Sequence, residues 1–261
     1  MSQFFEITRY EYRLSTRRIG FWIAYLLLGL FYSVTVLLPS GDPASDIISP
    51  DQIWQEAGSM IFIFNIFMPL LAGILAADRM QRDFQSGINE LQRSTPLSNS
   101  VYLMAKYLGV LASVLTPFFI IAFGNSTLMI IRGQAPLQFL WPVLLAVLAI
   151  AVPAHAFVVA FSLACPLIMP LRVYQVLFTG YWFWGNLLSP QAFPTISDTI
   201  LNAVGQYPVQ AYFGTNNTAT HPVSDGFTQP QAVLNLIVLT TCIAAALFTV
   251  NIYLRWRAQR A

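Results

Sequence analysis

Long apolar runs alternate with short polar segments along the chain. About 20 apolar residues in an α-helix cross the roughly 30 Å hydrocarbon core of a bilayer, because each residue adds about 1.5 Å. The apolar pattern predicts membrane spans at residues 19–38, 60–77, 101–131, 139–167, 173–188 and 233–254. The fifth run is short, and Pro142 and Pro153 interrupt the fourth. The sequence therefore predicts an all-α membrane protein with six transmembrane helices.

The basic residues lie almost entirely on one side of this predicted bundle. Of the 13 lysine and arginine residues, only Arg132 falls in a segment on the other side. Lysine and arginine are enriched in the cytoplasmic loops of membrane proteins. We therefore predict that both termini and the segment at residues 78–100 are cytoplasmic, in a multi-pass protein of a bacterial inner (plasma) membrane.

The composition agrees with a membrane protein. The chain is 56% hydrophobic and 9% charged, with a mean hydropathy of +0.62, whereas soluble domains carry about 25% charged residues. Cys165 and Cys242 both fall within apolar runs, and we interpret them as small buried hydrophobic residues. With two histidines and no Cys/His cluster in the sequence, we predict no metal site.

Two segments outside the spans carry helical patterns of their own. Residues 1–18 mix aromatic side chains with arginines, which favours a helix on the membrane surface over a plain tail whose arginines fix topology. The outer segment, residues 189–231, contains no lysine or arginine. Within it an amphipathic pattern begins at Ile196, with Ser197 or Asp198 as candidate cap. This helix could lie on the outer surface, dip back into the protein or cap the bundle.

A charged segment, DRMQRDFQSGINELQRSTPLS at residues 78–98, separates the second and third predicted spans. A helix is predicted over residues 83–91, because Phe84, Ile88 and Leu91 share one helical face. A narrow apolar stripe rimmed by charge suits docking into a groove of another protein. A helix lying on the bilayer surface is the alternative.

The stretch RDFQSGINELQRSTPLSNSVYLMAKYL resembles the loop between the second and third spans of type-two ATP-binding-cassette (ABC) exporter permeases. The matching residues are Gly87, Glu90, Leu91, Ser94, Thr95, Pro96, Tyr102 and Lys106. Two residues separate Gly87 from Glu90, where the family often has one. The six-span layout and the amphipathic N-terminal segment extend the resemblance over essentially the whole chain.

The resemblance implies a transport permease that is not itself an enzyme. Its coupling helix would seat in a groove of a cytoplasmic ATPase subunit, through Asp83, Phe84, Gly87, Ile88, Glu90, Leu91 and Arg93. The apolar members would be the buried contacts, and the charged members the rim that sets orientation. The sequence has no G-x-x-x-x-G-K-[ST] phosphate loop, so we expect ATP and Mg on a separate ATPase chain and no cofactor on this one. We also expect a second permease in a homo- or heterodimer and surrounding lipid, and no nucleic acid.

Candidate contacts along a substrate path are polar or aromatic residues in or near the spans: Asn65, Asn125, His155 and Tyr181. Polar side chains in lipid should face other helices or a cavity, and hydrogen bonds between helices are the commoner reason for them. The aromatic residues of the fifth span are interpreted as an interfacial belt, with an aromatic wall for substrate as the alternative.

Two further function classes were weighed against an exporter subunit. A secondary transporter usually needs carboxylates within its spans, and the predicted spans contain none. A membrane anchor or assembly protein without transport is the other alternative. The uncharged spans favour a hydrophobic or amphiphilic substrate.

Overall fold

The computed structural model describes residues 2–37, 47–86, 98–215 and 226–260. These residues form helices and connecting turns, and the described ranges contain no β-strand. The α-helices are α1 (Ser2–Thr16), α2 (Ile19–Leu37), α3 (Ile53–Ala76), α4 (Asp78–Gln85), α5 (Asn99–Ile131), α6 (Leu140–Ala146), α7 (Val152–Ala164), α8 (Leu171–Asn186), α9 (Gln206–Phe213) and α10 (Gln229–Arg260).

The chain has the apolar helices of a multi-pass membrane protein. Four helical units are long and apolar enough to cross a membrane: α3 running into α4, α5, the unit that contains α6 and α7, and α10. The pair α1 and α2, bent by 67°, makes a fifth if it is taken as one span. The 16 residues of α8 reach only about 24 Å. The described residues thus show four or five spans, whereas the sequence predicts six.

The two prolines of the fourth predicted span do not divide it into separate helices. Pro142 lies in the first turn of α6, where its missing N–H has no helical partner to lose. Pro153 lies at the start of α7, and the backbone before it widens into a π-helix, Val147–Ala151. A π-helical turn inside an α-helix is a common way to absorb such an irregularity. Residues 137–167 nevertheless form one helical unit, so the interruptions predicted at Pro142 and Pro153 are both wrong.

Three helices meet at one end of the bundle, which we call the α4 end. The Arg18 guanidinium, just after α1, donates to Asp78 of α4 over 3.2 Å. The Arg257 guanidinium, near the end of α10, lies 4.2 Å from the ring centroid of Phe84 on α4. The N-terminal helix and the last turns of α10 therefore lie beside the segment that follows α3. The opposite end, where α9 packs, is called the α9 end.

Two apolar clusters fill the bundle, one towards each end. The cluster at the α9 end includes Phe64, Phe139 and Val209, and the cluster at the α4 end includes Met80 and Leu254. Close helix packing leaves no space for a side chain at several glycines, including Gly73 and Gly109. A Cβ at Gly73 would lie 2.4 Å from the Phe178 ring, and one at Gly109 would lie 2.6 Å from the Thr8 carbonyl oxygen. Gly109 therefore lets α1 pack directly against α5.

Candidate functional site

A buried group of charged side chains joins α1, α4 and α5 at the α4 end. The Lys106 Nζ atom lies 2.6 Å from Glu11 Oε1 and 2.7 Å from Asp83 Oδ2. The Tyr102 hydroxyl, one turn before Lys106, donates to the same Asp83 oxygen. Each of these residues is at most 5% exposed. We call these four residues the Lys106 cluster. In it a single ammonium group holds carboxylates from two other helices.

A second group of ion pairs, nearer the surface, is centred on Asp78 at the start of α4. Its carboxylate accepts from Arg18 over 3.2 Å and from Arg82 one turn along α4. Arg79 Nε lies 3.7 Å from the other Asp78 oxygen, and the Arg79 side chain is almost fully buried. The two acidic residues of α4 therefore each connect that helix to another part of the bundle.

The charges in the Lys106 cluster are balanced in a way that explains their burial. A buried ion without a partner is strongly unfavourable, and a buried ion pair is tolerated when its geometry and hydrogen bonds are good. Lys106 is the only lysine in the sequence, and it meets two carboxylates at hydrogen-bond distance. The Tyr102 hydroxyl also donates to Asp83, and the buried Arg79 guanidinium interacts electrostatically with both carboxylates.

The structure changes part of the predicted coupling helix. The helix over residues 83–91 is wrong in its start, because α4 begins at Asp78 as a near continuation of α3 and ends at Gln85. Asp83 does not form an exposed rim, since its side chain is buried against Lys106. Phe84 is half-buried, packed on the apolar cluster of the α4 end and under Arg257. The remaining predicted contacts lie outside the described residues: Gly87, Ile88, Glu90, Leu91 and Arg93.

At the α9 end, asparagine side chains hold an irregular segment, residues 195–205, inside the bundle. Asn186 Oδ1 accepts the backbone N–H groups of Ala203 and Val204 over 2.8 and 3.2 Å. Asn65 donates to the Val204 carbonyl over 2.7 Å. Asn235, on α10, donates to the carbonyls of residues 200 and 202 over 2.8 and 2.9 Å. Buried backbone without regular structure needs such partners, and here three different helices supply them.

Residues 202–210 of the predicted outer segment are buried against the helical bundle. The helix predicted from Ile196 is wrong in its start, because α9 begins at Gln206 and the residues before it form turns. Ser197 does not cap a helix, since its hydroxyl donates to the Leu188 carbonyl over 2.7 Å. Gly205 precedes α9 at φ 94°, and a Cβ there would lie 2.4 Å from Ile150 Cγ2. Only glycine fits both that conformation and that space.

The four predicted substrate contacts have separate partners. Asn65 holds the irregular segment, as described above. Asn125 donates to the Ile121 carbonyl of its own helix over 2.8 Å. His155 is fully buried, with Nδ1 2.8 Å from the Ala151 carbonyl oxygen. Of the four residues, Tyr181 is the one that lines a cavity.

That cavity has a volume of about 400 Å³ and lies between α7, α8, α10 and the irregular segment. Its lining includes Phe157 from α7, Phe178 and Tyr181 from α8, and Cys242 from α10. The aromatic residues of the fifth predicted span are thus divided among three environments. Trp182 is fully buried, and its indole N–H donates to the Ile66 carbonyl over 2.7 Å. Some face this cavity, while Trp184 and Phe183 are 42% and 37% exposed on the outside, as a belt would be.

Within the described ranges, no group of three or more His, Cys, Asp or Glu residues has the arrangement of a metal site. Comparisons with protein-family models, with curated proteins and with solved structures found no significant match.

Proposed function

We propose that this chain is the membrane-spanning subunit of an ATP-driven exporter of the type-two ABC class. The segment that follows α4 would dock on a separate ATPase subunit, which binds ATP and Mg. The observation that carries the proposal is the attachment of α4 to the bundle. Asp83 is joined through Lys106 to both α5 and α1. A docking segment can move membrane helices only if it is fixed to them, and buried ion pairs supply that connection.

The contacts of α4 suggest how a displacement at the ATPase would spread. A movement of α4 acts on α5 through the Asp83–Lys106 pair. It acts on the junction of α1 and α2 through the Asp78–Arg18 pair. Close packing at Gly109 couples α1 to α5 as well. The three helices would therefore move together, as packed elements that shift as units do.

We propose six crossings, with both termini in the cytoplasm. The turn Cys165–Leu167, which precedes α8, packs beside α4. The last residue of α8, Asn186, bonds to the irregular segment at the α9 end. These contacts support a course of α8 through the full bundle despite its short length. The placement of nearly all basic residues on one predicted side supports the orientation, and a bacterial inner membrane is the setting we propose.

A complete exporter of this class would contain a second permease, identical or different. The outward face of α2 exposes Leu26, Leu27 and Leu30 by 59–66%. In a membrane, such a face contacts lipid or another subunit. We assign it to neither, and the proposal needs only that a second permease and two ATPases complete the assembly.

The test is purification of the tagged chain from its own host in mild detergent, with mass spectrometry of the proteins that accompany it. The double variant Glu90→Lys, Leu91→Asp disrupts the predicted docking segment. A matched control makes the same charge changes at the opposite end, with Asp51→Lys and Leu137→Asp. Both control residues are exposed.

The proposal predicts a soluble ATPase in near-stoichiometric amount with the original chain and with the control. The docking variant should lose it while its yield in the membrane is unchanged. A chain that purifies without any ATP-binding protein would contradict the proposal. Equal recovery of the ATPase with the docking variant would contradict the assigned docking segment.

A further inference from the structure

We propose that the cavity between α7, α8 and α10 binds a single hydrocarbon chain of a membrane amphiphile. The inference depends on the cavity and on its position among apolar helices. It does not depend on an ATPase partner, and it would stand if the exporter proposal failed.

The exposure of the lining residues shows how a ligand could reach the cavity. Leu177 and Leu201 line the cavity and are 58% and 38% exposed. Phe157 and Phe178 also line it and are each 6% exposed. The cavity therefore runs from a mouth on the outer, apolar surface of the helices to a closed floor. In a bilayer, that mouth faces lipid chains, so an amphiphile can enter sideways without crossing water.

The lining of the cavity is almost entirely apolar. The lining consists of aromatic and aliphatic side chains, Met169 and the two cysteines, and it includes no charged residue. The lining contains two hydroxyl groups: that of Tyr174 pairs with Ser162 over 2.8 Å, and that of Tyr181 is the other. Water needs two to four polar partners in a buried site. A hydrocarbon needs none, and it regains the dispersion contacts that an empty cavity lacks.

The lining residues also indicate the shape of the cavity. Tyr174, Phe178 and Tyr181 line the cavity and fall on one face of α8 over two turns, which is about 10 Å of helix. The lining continues to Ile196 and Leu201 in the irregular segment. The cavity is thus elongated along the helix, which suits a linear chain better than a compact ring. Its volume of about 400 Å³ lies within the range of roughly 300–1,000 Å³ found for ligand sites.

The absence of charge in the lining also limits what enters. A headgroup with a phosphate or carboxylate would lose its hydration without gaining a partner. The polar end of the ligand therefore stays outside the mouth, and only the chain is bound. Either a bilayer phospholipid or a free amphiphile with one chain has this chemistry.

The experiment uses the full chain in vesicles of phosphatidylethanolamine and phosphatidylglycerol. One arm contains a phospholipid with a diazirine on its acyl chain, and the other contains a diazirine fatty acid. After irradiation, mass spectrometry maps the labelled residues. Cys242→Phe fills the cavity from α10, and Cys165→Phe fills it from the turn that follows α7. The control is Thr249→Phe, at an exposed position on the same helix as Cys242.

We expect labelling of the cavity lining in the original chain and in the control. Each filling variant that elutes as a single species in size-exclusion chromatography should lose at least about tenfold of that labelling, because even one methylene of lost space matters in an apolar pocket. Labelling by the phospholipid alone would assign the site to bilayer lipid, and labelling by the fatty acid assigns it to a free chain. Labelling no stronger in the cavity than on α2, or unchanged by both filling variants, would overturn the proposal.

Discussion

At the scale of single residues, Lys106 carries a charge that is buried inside the bundle. Its side chain is 1% exposed, and its ammonium group contacts the carboxylates of Glu11 and Asp83. From the sequence, Lys106 is counted among the basic residues of the cytoplasmic side, and its burial is not predicted. The sequence also does not reveal the partners, because Glu11 lies 95 residues away along the chain.

Replacing Lys106 with methionine should destabilise the protein strongly. The change removes the ammonium group that lies between Glu11 and Asp83 and leaves the buried Arg79 as a nearby positive charge. Breaking a buried pair costs about 3–5 kcal/mol. The measurement is the free energy of unfolding in detergent. The control Arg172→Met, at an exposed position, should change it by no more than about 0.5 kcal/mol.

Adding Glu11→Gln and Asp83→Asn to the methionine variant should restore much of the lost stability, since the unpaired charges are then gone. A Lys106→Met variant as stable as the original chain would show that the buried ion pairs do not hold these helices together.

Gly205 offers a second test at this scale, because Gly214 is a matched control. Both glycines have positive φ, at 94° and 68°, but only Gly205 is crowded, by Ile150. Alanine at Gly214 should cost about 1–2 kcal/mol for the left-handed conformation. Alanine at Gly205 should cost about 1–3 kcal/mol more, from overpacking. Equal losses in the unfolding free energy would argue against the close approach to Ile150.

At the scale of elements, helices with long apolar runs were predictable and irregular segments were not. Hydrophobic pattern placed the spans at residues 60–77 and 101–131, which are confirmed by α3 and α5. The start of α9 could not be read from apolar spacing. Val204 belongs to the amphipathic pattern, yet its backbone bonds to asparagines rather than to a helix. Tertiary hydrogen bonds override local periodicity there.

The asparagines at the α9 end give a prediction for this element. Asn186→Ala should cost about 1–3 kcal/mol of unfolding free energy, because it leaves the buried N–H group of Ala203 without a partner, while the Val204 N–H keeps Asn202 Oδ1 at 3.2 Å. It should also make the irregular segment more sensitive to limited proteolysis. Asn125→Ala is the control, since Asn125 donates only within its own helix.

The control should cost about 1 kcal/mol or less and leave the proteolysis pattern unchanged. If Asn186→Ala and Asn125→Ala behave alike, then the irregular segment is held by packing and not by its asparagine contacts.

The predicted coupling helix illustrates a different limit of sequence reasoning. Apolar spacing selected Phe84 as one end of an exposed docking stripe. In the structure, Phe84 instead packs towards the bundle under Arg257, and Asp83 faces Lys106. Charge alone could not show that Asp83 points inward, because its partners, Tyr102 and Lys106, lie on α5, about 20 residues further along the chain. The rest of the predicted stripe stays a prediction.

At the scale of the whole molecule, the features of the α4 end agree with one another. The N-terminal helix, the segment that follows α3 and the last turns of α10 meet there. The distribution of basic residues predicted this common side without any knowledge of contacts. The sequence did not predict that α1 and α4 would be tied by buried charge, nor that α8 would stand beside a cavity. Both features require the packing of helices that are distant in the chain.

For the whole molecule, we propose that an ATPase docks at the α4 end, directly after α4. The most direct test places a photoreactive benzoylphenylalanine at Ser86, an exposed residue at the end of α4, and in a second strain at Gln138, an exposed residue between α5 and α6. Irradiation in the native host is followed by mass spectrometry of the adducts. If the ATPase docks there, we expect an adduct with a soluble ATP-binding protein from position 86 and none from position 138. No such adduct from position 86, or equal adducts from both positions, would contradict it.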